Sequence, residues 1–143
     1  MVWVGQPARP HFASPRGYAM NAVVALFGRL MMSAIFLQSG IMKAMAPDAT
    51  LATFAKLAIP NPPLAYGVTV GVEILGGITV LVGFKTRWAA LLLAGWCIAT
   101  AVAVHYHPAD RGQMVHLMKN ICMAGGFLQL FALGGGRFSL DRR

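Results

Sequence analysis

The apolar residues of this chain arrive in long uninterrupted runs, and this restricts the fold more than any other feature. From residue 21 to 45 the chain is apolar apart from Arg29, Gln38 and Lys43. A second run, 64–84, holds Glu73 as its one charge; a third, 88–104, holds none; a fourth, 114–133, holds Lys119. At 1.5 Å per residue the first run reaches roughly 37 Å, enough to cross a bilayer with some tilt. A half-buried element in water would instead alternate apolar and polar residues. With 57% apolar and 11% charged residues, the chain also falls well below the roughly 25% charged of a soluble domain. The runs therefore predict an all-α membrane protein, an antiparallel four-transmembrane-helix bundle with short connections.

The segments between the runs complete this plan. Residues 1–20 carry Pro7, Pro10, Pro15, Gly5 and Gly17 with Arg9 and Arg16, and read as a tail lacking a signal-peptide core. Pro47, Pro60, Pro62 and Pro63 bracket a stretch, 48–57, in which Asp48 can cap a helix and Leu51, Phe54 and Leu57 share a face. It is too short to span and predicts an interfacial helix between spans one and two. Residues 85–88 leave room only for a tight turn. The transmembrane domain then covers 21–134, with a C-terminal tail at 135–143.

Charge sets the orientation. The formal net charge is +8, from 12 Lys and Arg against 4 Asp and Glu. In a soluble chain that excess would raise nucleic acid as a partner; beside apolar spans it reflects topology, and no nucleic acid is expected. Arg9, Arg16, Lys85, Arg87, Arg137, Arg142 and Arg143 lie on one side, against Lys43, Lys56 and Arg111 on the other. Both termini are thus expected in the cytoplasm, with the interfacial helix and a histidine-containing loop outside.

The polar residues within the spans are the candidate site. Glu73 lies roughly 13 Å into its span, where an isolated carboxylate is costly and needs a partner or a proton. Lys119 enters from the same outer side, and Gln38, Lys43 and Asn120 extend an intramembrane polar site around it. One reading is a protonatable pocket for a quinone headgroup or a proton relay. The other is a Glu73–Lys119 pair that fixes helix register. Arg29 is expected to snorkel to the cytoplasmic interface. Gly67 and Gly71 form a GxxxG, and Gly76, Gly77, Gly125 and Gly126 allow close packing, within the bundle or between chains.

His105, His107 and His116 gather at the outer end of spans three and four and form a second candidate, as ligands or proton carriers. With Met114 and Met118 nearby they raise a soft-metal site, but His105 and His107, two residues apart, point to different sides, so no metal is expected. Cys97 and Cys122 sit in apolar runs as small fillers, or as a redox pair between helices three and four. No nucleophile triad, phosphate loop or HExxH motif is present.

These residues together resemble the DoxX family of small four-helix bacterial inner-membrane proteins. Gly28–Arg29–Leu30 and Ser39–Gly40–Ile41–Met42–Lys43 are similar to the family's opening helix. Glu73–Ile74–Leu75–Gly76–Gly77 and Gly83–Phe84–Lys85–Thr86–Arg87 are similar to its most characteristic segment. His105, Lys119–Asn120, Gly125–Gly126–Phe127 and the closing Phe138–Ser139–Leu140–Asp141 complete the likeness, which covers residues 21–141. Gly135 departs from it, standing where related sequences often carry proline. The resemblance implies an inner-membrane protein linked to quinone-dependent or redox-defence complexes, as in a small subunit of thiosulfate:quinone oxidoreductase.

The expected function is an accessory or quinone-contacting subunit of such a complex, not catalytic alone. No flavin, haem or iron–sulfur motif is present, so no intrinsic cofactor is expected, only a bound quinone or lipid. Expected partners are the bilayer and other membrane subunits or further copies of the chain. The alternatives are a small proton-coupled carrier or permeability protein using the polar belt around Glu73, and a purely structural membrane assembly protein.

Overall fold

A computed structural model describes the backbone of residues 15–141 and the side chains of residues 21–141. The described residues form five helices: α1 (Pro15–Met45), α2 (Pro47–Lys56), α3 (Pro62–Val82), α4 (Thr86–His105) and α5 (Arg111–Leu133). Helix α1 starts six residues before the expected span, so residues 15–20 are helix and not irregular tail. Proline is well placed there, because the first helical N–H has no partner to lose. The rest of the predicted N-terminal tail, with Arg9, and the C-terminal Arg142 and Arg143 lie outside the described residues, as does the side chain of Arg16.

Asn21–Met45, Pro62–Val82 and Thr86–His105 are long and apolar enough to cross a membrane. Only 22–28% of their most apolar stretches is buried within the chain, so most apolar side chains face outward and need lipid or a partner. Helix α5 has 23 residues, a length of about 34 Å, but Arg111, Gln113, His116, Lys119, Asn120 and Gln129 interrupt its apolar character.

Local chemistry sets the element ends. Helix α2 carries Asp48 in its first turn, not as the cap; the cap residue is Ala46, without a side-chain hydrogen bond. Asn61, at φ 48°, accepts from the Leu64 amide and opens α3. The α3–α4 turn falls at 83–85, earlier than expected, because Gly83 at φ 72° ends α3 and Lys85 at φ 44° precedes α4. Asp110 accepts from the amides of Gly112 and Gln113 at 2.8 and 3.1 Å. This cap moves the start of α5 three residues ahead of the expected Met114.

Helix α1 packs mainly on α3, and α4 mainly on α5, with α3 and α4 joining the two pairs. Leu37 of α1 fills the space over Gly77 of α3, and Ile74 fills the space over Gly40. The core lies between the pairs, with Phe36, Val80, Leu93, Cys97, Ala124 and Phe127 buried. Phe36 and Phe127 meet edge to face, centroids 5.3 Å apart. Contact between α1 and α5 is otherwise thin and leaves an open groove.

The predicted C-terminal tail is, as far as Asp141, a folded plug. The Leu140 and Asp141 amides donate to Val82 and Gly83 carbonyls at 3.2 and 2.9 Å. The Asp141 carboxylate accepts from the Lys85 and Thr86 amides at 2.6 and 2.7 Å, capping α4 from 55 residues away. Arg29 does not snorkel: it is 1% exposed and donates from Nη2 to the Phe138 carbonyl.

Candidate functional site

Lys43 stands in the last turn of α1 and Glu73 near the middle of α3. The Lys43 ammonium lies 2.9 and 2.8 Å from the two Glu73 carboxylate oxygens and 2.5 Å from the Ser39 hydroxyl. Ser39 and Lys43 share a helix face at a spacing of four. Gly40, between them, lets the backbones approach: a Cβ there would lie 3.1 Å from that of Glu73. The Tyr66 hydroxyl of α3 donates to the Lys43 carbonyl at 3.4 Å. The Glu73 side chain is 8% exposed and that of Lys43 27%, so the carboxylate is enclosed and the ammonium reaches the edge.

The counter-ion of Glu73 is therefore Lys43 and not Lys119. Helix α3 packs on α1 and α4, while α5 packs on α4 and thinly on α1 and makes no close backbone contact with α3. Lys119 is exposed on α5 and lines the α1–α5 groove. Gln38 is exposed as well, two residues and so about 200° around the helix from Gly40. Asn120 is half-buried; its Oδ1 lies 3.3 Å from the Thr100 hydroxyl of α4, and its Nδ2 donates to the His116 carbonyl. The expected belt thus divides into an α1–α3 ion pair, an α4–α5 hydrogen bond and two outward side chains.

Two of the three histidines meet. The His105 and His116 rings stack with centroids 5.3 Å apart, and His105 Nδ1 lies 2.8 Å from Gln113 Oε1, which orients the ring. His107 is exposed in the following loop. Among the described residues no three His, Cys, Asp or Glu side chains converge to hold a metal. Cys97 is buried in the core and Cys122 is exposed; both are free thiols, and no disulfide joins them.

The α1–α5 groove has a volume of about 810 Å³. Ile35 of α1 forms one wall; Met114, Val115, Met118, Cys122 and Met123 of α5 form the other. Arg111 and Lys119 are its charged residues. Both cations are visible in the sequence but their shared groove is not, because it depends on how sparsely α1 and α5 touch. The plug was missed too, and Asp141, an acid eight residues past the end of α5, is its only sequence signal.

Fold and site together define a small helical membrane protein in which the acid within α3 is bound to a neighbouring helix and the larger opening faces outward. The chain belongs to the DoxX family, whose model matches residues 24–106. It is 35% identical over 130 residues to the inner membrane protein YphA of Escherichia coli K12, covering 87% of this chain and 93% of that one. It is 32% identical over 123 residues to the inner membrane protein YqjF of the same organism, covering 86% and 93%. The uncharacterized membrane protein Rv3486 of Mycobacterium tuberculosis is 32% identical over 126 residues, covering 80% and 77%. No solved structure matches the chain.

Proposed function

We propose that this DoxX family membrane protein is an accessory subunit of a membrane oxidoreductase assembly, with four spans and both termini in the cytoplasm. The observation that carries the accessory role is the Lys43–Glu73 pair. Both carboxylate oxygens are occupied by one ammonium, so the acid serves as a strut between α1 and α3 more readily than as a proton acceptor. Four spans are supported by the plug, which joins the end of α5 to the α3–α4 turn and to Arg29 of α1. The opposed order of the α1–α3 contacts supports antiparallel neighbours. Lys85, Arg87 and Arg137 then lie toward the same end, in keeping with a cytoplasmic face.

A carrier remains the second reading, because the 27% exposure of Lys43 gives protons a route to the pair. Purification of the tagged chain from native membranes separates the two. An accessory subunit co-purifies with redox-enzyme subunits identified by mass spectrometry, and Glu73→Gln lowers the yield of complex without changing turnover per complex. Proton-coupled solute uptake by proteoliposomes holding this chain alone, abolished by Glu73→Gln, would overturn the accessory role.

A further inference from the structure

We infer that the α1–α5 groove is a binding site for an anionic phospholipid, its phosphate held by Arg111 and Lys119 and an acyl chain lying against Ile35, Val115 and Met118. This goes beyond the accessory role and rests on one part of the preceding reading, that α5 lies in the bilayer.

Charge accounting within the chain leads to it. Of the four acids, Glu73 is taken by Lys43, Asp110 caps the start of α5 and Asp141 caps α4. The fourth, Asp48, lies in the first turn of α2 and is not part of the groove. Among the described residues, Arg111 and Lys119 have no ion-pair partner, and no acid lines the groove with them. Lys119 is eight residues into α5, about 12 Å from its start, a depth at which an uncompensated ammonium is unfavourable. Its side chain leaves a Cα–Cβ bond tilted toward the helix N-terminus, which directs it back toward Arg111 and the headgroup level.

The remaining wall decides among anions. Apart from the two cations the groove is apolar, and its methionines are flexible enough to follow an irregular chain. A free inorganic anion would satisfy the charges and leave that wall uncovered. A neutral quinone would cover the wall and leave two cations unpaired. A phosphodiester with an acyl chain does both.

The test uses the purified full chain in detergent with phosphatidylglycerol or phosphatidylcholine of identical acyl chains. Lipid retention is read by native mass spectrometry, and occupancy by the rate at which maleimide labels Cys122. That thiol is exposed in the groove, whereas Cys97 is buried. At about fivefold per cation, phosphatidylglycerol should be preferred about 25-fold and should slow Cys122 labelling. Arg111→Gln with Lys119→Gln should bring the two lipids to parity, and Arg111→Lys alone should keep the preference. Met118→Trp, which fills the slot and leaves both cations, should reduce retention of either lipid. Equal retention by the native chain, an unchanged preference in the double glutamine variant, or Cys122 labelling indifferent to lipid would overturn the proposal. So would a quinone or a second copy of the chain found in the groove. None of these readouts depends on a partner enzyme, so this proposal and the accessory role fail separately.

Discussion

Lys43 grips both carboxylate oxygens of Glu73, at 2.9 and 2.8 Å, and joins two helices that are 30 residues apart at this point. The pair is enclosed on the acid side, so removing one partner strands a charge. Glu73→Gln or Lys43→Gln should each cost about 2–3 kcal/mol, below the full buried-pair value because Lys43 is partly exposed. The double variant Lys43→Gln with Glu73→Gln should lose well under the sum of the two single losses. Thermal unfolding in detergent, arranged as a double-mutant cycle, measures the coupling; additive losses would remove the strut.

The sequence pointed to Glu73 but not to its partner. A carboxylate nine residues into an apolar run is visible without any structure, because the cost of burying it is local. Which cation answers it depends on which helices touch. In the sequence Lys43 and Lys119 both read as entering from the same side, and only the packing of α5 on α4 removes Lys119 from reach. Helix number and approximate extents were legible for the same local reason; starts set by a cap or a proline, as at Asp110 and Pro15, were less so.

The glycines of the α1–α3 contact should separate into two groups. A Cβ on Gly40 would come within 2.7 Å of the Ile74 side chain and 3.2 Å of its backbone nitrogen, and one on Gly77 within 2.9 Å of Leu37. Gly40→Ala and Gly77→Ala should therefore destabilise by about 1–3 kcal/mol. At Gly67 and Gly71 a Cβ meets nothing, so the GxxxG faces away from this chain's own core. Gly67→Ala and Gly71→Ala should leave monomer stability unchanged or raise it by up to about 1 kcal/mol. Thermal shifts of the four variants in detergent check this; a large loss at Gly67 would contradict the packing described.

Asp141 supplies the cap that Lys85, the residue before α4, does not. Asp141→Ala should remove two charge-assisted hydrogen bonds from the first turn of α4 and cost about 1–2 kcal/mol. Asp141→Asn, which keeps an acceptor, should lose less. Because Leu140 and Asp141 also bond to the α3–α4 turn, the alanine variant should expose the plug to trypsin at Arg137. Faster loss of the C-terminus, followed by intact mass, is the expected result, and unchanged cleavage would mean that the backbone bonds hold the plug without the cap. Apart from Asp141 itself, nothing local in the last residues signals this arrangement, since its partners lie more than 50 residues earlier.

Arg29 and Gly83 form the other half of that junction. Gly83 adopts φ 72°, where a side chain is strained, and a Cβ there would run into the Arg29 guanidinium and Ser139. The strain alone accounts for about 1 kcal/mol, and displacement of a buried guanidinium adds to it. Gly83→Ala should thus be among the most damaging single-methyl changes in the chain. Arg29→Met removes the donor to the Phe138 carbonyl and leaves that carbonyl unsatisfied, at about 1–3 kcal/mol. It also makes room beside Gly83, so the two changes should not add. In the Arg29→Met background, Gly83→Ala should keep its strain and lose most of the collision. A thermal-unfolding cycle should therefore show a double variant more stable than the sum of the single losses implies. Strict additivity would mean that the two residues do not share the space the structure gives them.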